Sequence, residues 1–345
     1  QMAGRSIEAA ADALTLHQHV LYHQSKLYPG LEKVLDAISL ASKIISGKVR
    51  TMGLSGVVGK TGEKNVQGEE VNILDELSNT VMIKRILDSG EVCAVVTEEE
   101  EEFATPSTDL PGRRGYVVSI DPLDGSSNID CNVPIGTIFG IFPRTSAGDG
   151  KGTLADCLQP GRNLIGAGYV IYGPSTMMVY ASAEGTFGFT LDPSVGDYLL
   201  THRNMMIPNV CKNFSVNEGN TAYFYPGDLA LVAWLKEEDK ETSRPLGARY
   251  VGSLISDFHR NLLYGGLFFY PHDKKSKKTP NGKLRLLYEC APVSYIAKMS
   301  GGKGSTGAMD VLDVVPTDIH QRVPIYVGNK DWVERAESFV RGDYV

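Results

Sequence analysis

The segment YVVSIDPLDGSSNID, residues Tyr116–Asp130, decides how the rest of the chain is interpreted. Its first five residues form an apolar run rich in β-branched side chains, which predicts a buried strand. Asp121 and Asp124 follow at the strand end, Pro122 fixes the turn between them, and Gly-Ser-Ser leads toward a helix start. Carboxylate oxygens suit Mg²⁺ or Mn²⁺, and the free N–H groups of a helix N-terminus suit phosphate. The segment therefore predicts a divalent-cation site beside an anion site.

Two other interpretations of this segment are a calcium-binding loop and a simple capped turn. A loop of the EF-hand type needs an oxygen ligand at its third position and glycine at its sixth. Counting from Asp121 gives Leu123 and Ser126 at these positions, so the calcium loop is excluded. A purely structural turn stays open on this segment alone.

A second acidic segment follows the apolar run CAVVT at residues 93–97, which predicts a short buried strand. Five glutamates, Glu98–Glu102, come directly after it. Most charge runs are solvated, but the active sites of α/β proteins lie at strand ends. We expect Glu98 and Glu99 to point inward and Glu100–Glu102 to be exposed.

The composition argues against two classes of partner. The 345 residues include 34 basic and 41 acidic ones, giving a formal net charge of −7, so we expect no nucleic-acid partner. An uncharged stretch at residues 163–183 is interrupted by Gly173-Pro174 and predicts two buried strands, so we expect no membrane partner. The five cysteines include no CxxC pair, so we expect no structural zinc site. Their odd number favours free thiols in a reducing, cytoplasmic compartment. The last residues, Gly-Asp-Tyr-Val, are not a peroxisomal targeting signal of the SKL type. A peroxisome-like organelle stays open as an alternative only if such a signal follows Val345.

The remaining chain predicts layered α and β elements. Helical patterns cover residues 6–50, with a break at Pro29-Gly30, and a mobile loop is predicted from Gly53 to Gly68. A helix over 72–88 precedes the strand-rich region, which ends near residues 200–206. Beyond it we predict helices over 228–238, 253–264 and 291–299 and a strand over Arg285–Glu289.

Two smaller motifs each allow two interpretations. His19 and His23 have the spacing of a zinc pair on a helix, but a helix-surface position is favoured because no HExxH glutamate is present. The basic run KKSKK, residues 274–278, indicates either a solvated hairpin loop or a partner-binding patch, and the loop is favoured.

Five further sequence features, taken in order after the two acidic segments described above, resemble one family. After Glu98-Glu99 and DPLDGSSN come LQPGRNL (158–164), NEG (217–219), GARYVGS (247–253), NGKLRLLYEC (281–290) and PTDIHQR (316–322). Together they resemble the eukaryotic fructose-1,6-bisphosphatase family, which belongs to the magnesium-dependent, lithium-sensitive sugar and inositol phosphatases. The resemblance covers about residues 35–330. It implies an α/β fold, a layered α/β/α/β/α sandwich, with an N-terminal allosteric (AMP-type) domain over 1–205 and a C-terminal sugar-bisphosphate domain over 206–345.

The resemblance also implies a set of site residues. It makes Asp75 and Glu99 the catalytic pair that activates water. The ligands of two to three Mg²⁺ ions per subunit, with Mn²⁺ as an alternative, would be Glu69, Glu98, Asp121, Leu123, Asp124 and Glu289. The residues that bind the substrate would be Gly125, Ser126, Ser127, Asn217, Arg249, Tyr250, Gly252, Ser253, Leu254, Tyr270, Lys283, Leu284 and Arg285. Arg249 would act on a neighbouring subunit of a homo-oligomer, a tetramer by resemblance.

The resemblance further implies inhibition by AMP at the start of the second N-terminal helix. The effector residues would be Tyr28, Gly30, Leu31, Glu32 and Tyr116. Gly115 and Pro143 stand where the family has lysine and arginine, and Arg144 is a candidate substitute. Another departure is Asn220, which follows the NEG motif in a place where the family often has tyrosine.

The activity implied is metal-dependent hydrolysis of the 1-phosphate of fructose 1,6-bisphosphate, a step of gluconeogenesis. Sedoheptulose-1,7-bisphosphatase and inositol-phosphate phosphatase stay open as alternatives. A sugar-phosphate sensor without catalysis is the alternative from another class, although such a protein should have lost a metal carboxylate.

Overall fold

The chain is described here by a computed structural model that covers residues 14–55, 60–64, 70–107, 112–148, 150–275 and 281–343. The N-terminal half begins with three helices and two short strands. They are α1 (Leu16–His23), α2 (Leu31–Ser55), β1 (Lys60–Lys64), β2 (Glu70–Asn72) and α3 (Ile73–Asp88). The predicted loop Gly53–Gly68 is therefore wrong in part, because α2 extends to Ser55 and Lys60–Lys64 pairs with β2. Its other residues, and residues 6–13 of the first predicted helix, lie outside the described ranges.

A seven-stranded sheet follows, and its strands lie side by side in chain order. They are β3 (Val92–Thr97), β4 (Tyr116–Asp124), β5 (Ile135–Pro143), β6 (Gly166–Tyr172), β7 (Thr176–Ser182), β8 (Gly185–Asp192) and β9 (Asp197–His202). Between β5 and β6 lies the one-turn helix α4 (Leu154–Cys157). Only β3 and β4 are parallel, so both of their carboxyl ends lie at one edge of the sheet. The two strands predicted within residues 163–183 are confirmed, and none of the described helices is long and apolar enough to cross a membrane.

The C-terminal half contains a second sheet of five strands. The helices and strands of this half are β10 (Asn213–Ser215), α5 (Pro226–Lys236), β11 (Gly247–Ala248), α6 (Leu254–Tyr264), β12 (Gly266–Tyr270), α7 (Ala291–Met299), β13 (Lys303–Ser305), β14 (Ile325–Gly328) and α8 (Lys330–Arg341). The strand order in this sheet is β11-β10-β12-β14-β13.

The elements stack in five layers. Helices α1–α3 share a buried core with one face of the seven-stranded sheet. Helices α6 and α7 contact both sheets and so lie between them, while α5 and α8 pack together on the outer face of the second sheet. This arrangement confirms the predicted layered α/β/α/β/α sandwich.

The predicted strand Arg285–Glu289 is wrong. Residues Leu286–Cys290 form a turn of π-helix in which the N–H of Cys290 donates to the carbonyl of Arg285 at 2.9 Å. All five residues of this turn are buried, and a short apolar run that is buried on every side has the same sequence pattern in a strand as in a helix. The turn runs directly into α7.

His19 is also placed differently from its prediction. It is 2% exposed and packs against Phe187 and Phe189, with ring centroids 4.3 and 5.4 Å away. The helix-surface position therefore holds for the exposed His23 and fails for His19.

Candidate active site

The centre of the site is a group of three buried carboxylates. Asp121 and Asp124 end β4, and Glu289 comes from the π-helical turn. One oxygen of each lies within 4.8 Å of the others. The backbone N–H of Leu123 donates to Oδ1 of Asp121 at 3.0 Å, which turns that carboxylate back toward its own strand end.

Asp124 is held by the C-terminal half of the chain. Its Oδ2 accepts hydrogen bonds from Oγ of Ser253 at 2.8 Å and from the N–H of Ile255 at 2.9 Å. Its Oδ1 accepts one from the N–H of Leu254 at 3.2 Å. Asp124 thereby binds the first turn of α6, where negative charge is favoured by the helix dipole. The two halves of the chain meet at this carboxylate.

Arg285 links the cluster to the glutamates after β3. Its Nη1 lies 2.6 Å from Oε1 of Glu98 and 3.8 Å from Oε2 of Glu289. The N–H of Arg285 also donates to Oε2 of Glu289 at 2.7 Å, a contact that the π-helical turn makes possible. Glu98 is buried, Glu99 is half-buried and Glu100–Glu102 are exposed, so the prediction for the five glutamates is confirmed.

The carboxylates of the cluster repel one another and are desolvated by burial. Burial, with the charges of Glu98, Asp124 and Glu289, raises the pKa of Asp121 well above its usual range. Burial raises the pKa of Asp124 to about 6 and that of Glu289 to about 8. A bound cation removes this penalty, and a set of carboxylate oxygens fits a hard divalent ion. The residues present are therefore suited to Mg²⁺ or Mn²⁺.

These carboxylates lie in the wall of a cavity of about 660 Å³. The structure brings together nearly all the predicted catalytic, metal-binding and substrate-binding residues in its lining. The predicted residues that line it are Asp75, Glu98, Glu99, Asp121, Leu123, Asp124, Gly125, Ser126, Ser127, Asn217, Tyr250, Gly252, Ser253, Leu254, Tyr270, Lys283, Leu284, Arg285 and Glu289.

Two predicted residues are not among these lining residues. Arg249 is exposed, and its Nη1 donates to the carbonyl of Ala248 at 2.8 Å. Glu69 lies outside the described ranges, so its predicted role as a ligand stays a prediction.

The Gly-Ser-Ser segment after Asp124 forms a shorter element than predicted. Ser126–Asn128 is a single turn of 3₁₀-helix, and no α-helix starts there. Gly125 has φ +76°, and a Cβ at this position would lie 2.6 Å from Cβ of Ser253. Glycine is therefore required both by the left-handed backbone and by the close approach of α6.

Sequence reasoning missed several residues that shape the cavity. Asn128, Asp130, Val251 and Phe268 line it, and Nδ2 of Asn128 donates to the carbonyl of Gly252 at 3.2 Å. Asn128 and Asp130 belong to the first segment considered, so their position in the motif could have indicated them. Val251 belongs to the motif GARYVGS, so its position could have indicated it as well. Phe268 carries no such signal, because an apolar residue of a wall looks like a core residue in a sequence.

The predicted effector residues gather around the start of α2. Oη of Tyr116 donates to the carbonyl of Pro29 at 2.9 Å. The buried carboxylate of Glu91 pairs with Nζ of Lys33 at 2.8 Å and with Nε of Arg113 at 3.2 Å. It occupies the space beside Gly30 so closely that a Cβ there would lie 2.5 Å from its carboxyl carbon.

The side chain of Arg144, the candidate substitute for the missing cation, is bound within its own loop. Its guanidinium donates to Oγ of Ser146 and to the carbonyls of Gly150 and Lys151 at 2.9–3.2 Å. The cation beside Tyr116 is Arg113 instead, whose Nη2 lies 3.3 Å from the Tyr116 hydroxyl.

A five-layered fold with buried carboxylates under a cavity that also contains arginine and lysine defines the class of metal-dependent sugar phosphatases. The family model "Fructose-1-6-bisphosphatase, N-terminal domain" matches residues 14–203, and its C-terminal counterpart matches residues 207–341. The chain belongs to the fructose-1,6-bisphosphatase family, whose members depend on metal ions.

Several relatives match over almost their whole length. "Fructose-1,6-bisphosphatase class 1" of Chloroherpeton thalassium is 46% identical over 335 residues, which cover 96% of this chain and 94% of that relative. The protein of the same name from Maridesulfovibrio salexigens is 44% identical over 332 residues, covering 95% of this chain and 98% of that relative. The crystal structure of Leishmania major fructose-1,6-bisphosphatase in holo form superposes with a TM-score of 0.87 at 36% identity, covering 95% of this chain and 98% of that one.

Proposed function

We propose that the chain hydrolyses the 1-phosphate of fructose 1,6-bisphosphate to give fructose 6-phosphate and phosphate, as a step of gluconeogenesis. One observation carries the proposal: the buried carboxylate cluster shares a single cavity with Arg285, Lys283, Asn217 and two tyrosines. A carboxylate cluster suits the metal-assisted cleavage of one phosphate, and the cationic and hydroxyl groups suit the binding of another. A monophosphate substrate would leave these second groups without a function.

The role of each residue in this proposal is the one that the family resemblance implies. We assign the metal ions, two to three per subunit, to Glu69, Glu98, Asp121, Asp124, Glu289 and the carbonyl of Leu123. When bound, such ions lower the pKa of the attacking water and stabilise the charge that develops on the phosphoryl oxygens. Asp75 and Glu99 accept the proton of that water.

The substrate itself is held by three further groups of residues. Gly125, Ser126, Ser127 and Arg285 orient the phosphate that is removed, and Gly252, Ser253, Leu254 and Leu284 contact the sugar. The distal phosphate is bound by Asn217, Tyr250, Tyr270, Lys283 and Arg249 of a neighbouring subunit. The protein acts in this scheme as a homo-oligomer, a tetramer by resemblance, in which residues 1–205 form the regulatory half and residues 206–345 the sugar-binding half.

AMP is proposed to inhibit the enzyme at the start of α2, through Tyr28, Gly30, Leu31, Glu32 and Tyr116. The backbone N–H groups of a helix start favour an anion, and Arg113 and Lys33 supply positive charge there. Because these cations already pair with Glu91, the phosphate of AMP has to displace that carboxylate.

The activity is tested by measuring phosphate release with and without Mg²⁺. The substrates are fructose 1,6-bisphosphate, sedoheptulose 1,7-bisphosphate and inositol 1-phosphate. The proposal requires Mg²⁺-dependent release and the highest kcat/KM on the fructose bisphosphate. A higher kcat/KM on either of the other substrates supports that alternative phosphatase instead. Binding of the fructose bisphosphate without release supports a sensor.

A further inference from the structure

Lys275 is fixed beside the residues that line the active-site cavity. Its Nζ donates to Oδ1 of Asn220 at 2.8 Å and lies 5.9 Å from the centre of the Tyr223 ring. Asn220 is 5% exposed, so its side chain is a buried acceptor for an otherwise exposed lysine. Lys275 is therefore exposed, as predicted for a solvated loop, and is also hydrogen-bonded to a buried side chain.

Two chain segments leave the cavity side by side and bring Lys275 to this place. Asn217 lines the cavity and caps a 3₁₀-helix, Glu218–Tyr223, through its Oδ1 and the N–H of Gly219 at 3.1 Å. Tyr270 lines the cavity at the end of β12, and the segment after it donates the N–H of Lys274 to the carbonyl of Tyr223 at 3.0 Å. The hydrogen bond between Lys275 and Asn220 is a further connection between the two segments.

The connection places a positive charge within electrostatic reach of Asn217. Asn220 lies one 3₁₀ turn beyond Asn217, which is about 6 Å along the helix axis. The ammonium of Lys275 is therefore on the order of 10 Å or less from Asn217, within about one Debye length at moderate salt. A phosphate bound by Asn217 would feel this charge, and the substrate phosphate at the carboxylate cluster would feel it less.

We propose that Lys275, oriented by Asn220, is a specificity-determining residue that favours substrates with a second phosphate over monophosphates. The inference rests on the proposed function and deepens it. The orienting role of Asn220 follows from its buried amide oxygen, which accepts the hydrogen bond from Nζ of Lys275.

The test compares two substrates in four variants. Lys275→Met should raise KM for fructose 1,6-bisphosphate about three- to fivefold, as expected for the loss of one partly screened charge. With fructose 1-phosphate as the substrate, both kcat and KM should stay unchanged. Asn220→Ala should have the same effect, and the double variant should add nothing further. The matched control is Lys274→Met, because Lys274 contacts the ring of Tyr225 at 4.8 Å and should leave both KM values unchanged.

The result that overturns the inference is an equal change of KM for both substrates, or the same effect in Lys274→Met. If Asn220→Ala fails to fold, Lys275→Met still decides, because its side chain is exposed. A wild-type protein that does not hydrolyse fructose 1,6-bisphosphate refutes the proposed function instead, and it does so before any variant is compared.

Discussion

The carboxylate of Glu98 lies between the guanidinium of Arg285 and the carboxylate cluster. It pairs with Arg285 at 2.6 Å, and its charge raises the pKa of Asp121. Glu98→Gln keeps the shape of the side chain and its ability to accept a hydrogen bond, but it removes the charge that a divalent ion needs. We predict that kcat falls by at least about a thousandfold while the thermal unfolding midpoint stays close to that of the wild type.

The control for this variant is Glu101→Gln, because Glu101 is exposed on the same loop. It should retain normal turnover. Near-normal kcat in a folded Glu98→Gln protein would contradict the assignment of Glu98 as a metal ligand.

His19 gives a prediction about acid stability. Burial, with the charges of His23 and Arg203, lowers its pKa from 6.5 to about 4, and its Nε2 has no hydrogen-bond partner among the described residues. Between these two pH values the unfolded chain binds a proton that the folded chain refuses, so stability falls as the pH falls from about 6.5 to about 4.

His19→Phe should therefore remove on the order of 2–3 kcal/mol of this loss over that pH interval. The measurement is the free energy of unfolding by urea at several pH values. An equally steep pH dependence in wild type and variant would show that His19 does not contribute to it.

Helices and strands whose apolar residues recur at a regular spacing, or that are bounded by turn residues, could be predicted from the sequence. Helix α3 and strands β3, β4, β6 and β7 lie where the apolar patterns indicated, because each apolar run ends at glycine, proline or polar residues. The π-helical turn at Leu286–Cys290 could not be predicted, because its side chains are buried all around and periodicity carries no information there. Strand β1 was missed because its sequence, KTGEK, is polar and its pairing with β2 is a tertiary contact.

The start of α2 is the element at which regulation can be tested. Glu91 places an internal carboxylate beside Gly30 and neutralises Lys33 and Arg113. Glu91→Gln leaves the side chain its size but frees both cations for an incoming phosphate. We predict that AMP binds this variant about five- to tenfold more tightly than the wild type, as measured by calorimetry.

Lys33→Met serves as the opposite variant, since it removes a cation and should weaken AMP binding. Equal AMP affinity in the wild type and both variants would mean that the effector does not bind at this helix start.

At the scale of the whole molecule, the assembly of the cavity could be predicted only through the resemblance. Its residues come from positions as distant as Asp75 and Glu289, and no local pattern indicates that these two side chains approach one cavity. The order of the motifs along the chain supplied this information. The motifs did not indicate the residues that hold them in place. One such residue is Asp257, whose buried carboxylate accepts hydrogen bonds from the N–H groups of Val251 and Gly252 at 2.9–3.2 Å.

The position of Arg249 leads to a prediction about the assembly. It is exposed and absent from the lining of its own cavity, as expected of a residue that completes a neighbour's site. We predict that Arg249→Ala subunits and Asp121→Asn subunits, each inactive alone, regain activity when they are unfolded together and refolded as hybrids. With symmetric pairing at equal amounts, about a quarter of the sites contain both intact residues.

The control is the same mixture without refolding, which should stay inactive. Hybrids that are confirmed by mass but show no activity would place Arg249 outside the site.

The hydrogen bonds that Asp124 accepts from Ser253, Leu254 and Ile255 also have an evolutionary consequence. A carboxylate encoded in the first half of the gene is oriented by residues encoded in the second half. Recombination between diverged genes at any point separating these codons would join an aspartate to a helix that had not been selected together with it. The two halves are therefore expected to be inherited as one unit, and successful chimeras should keep the Asp124 segment and the start of α6 from the same parent.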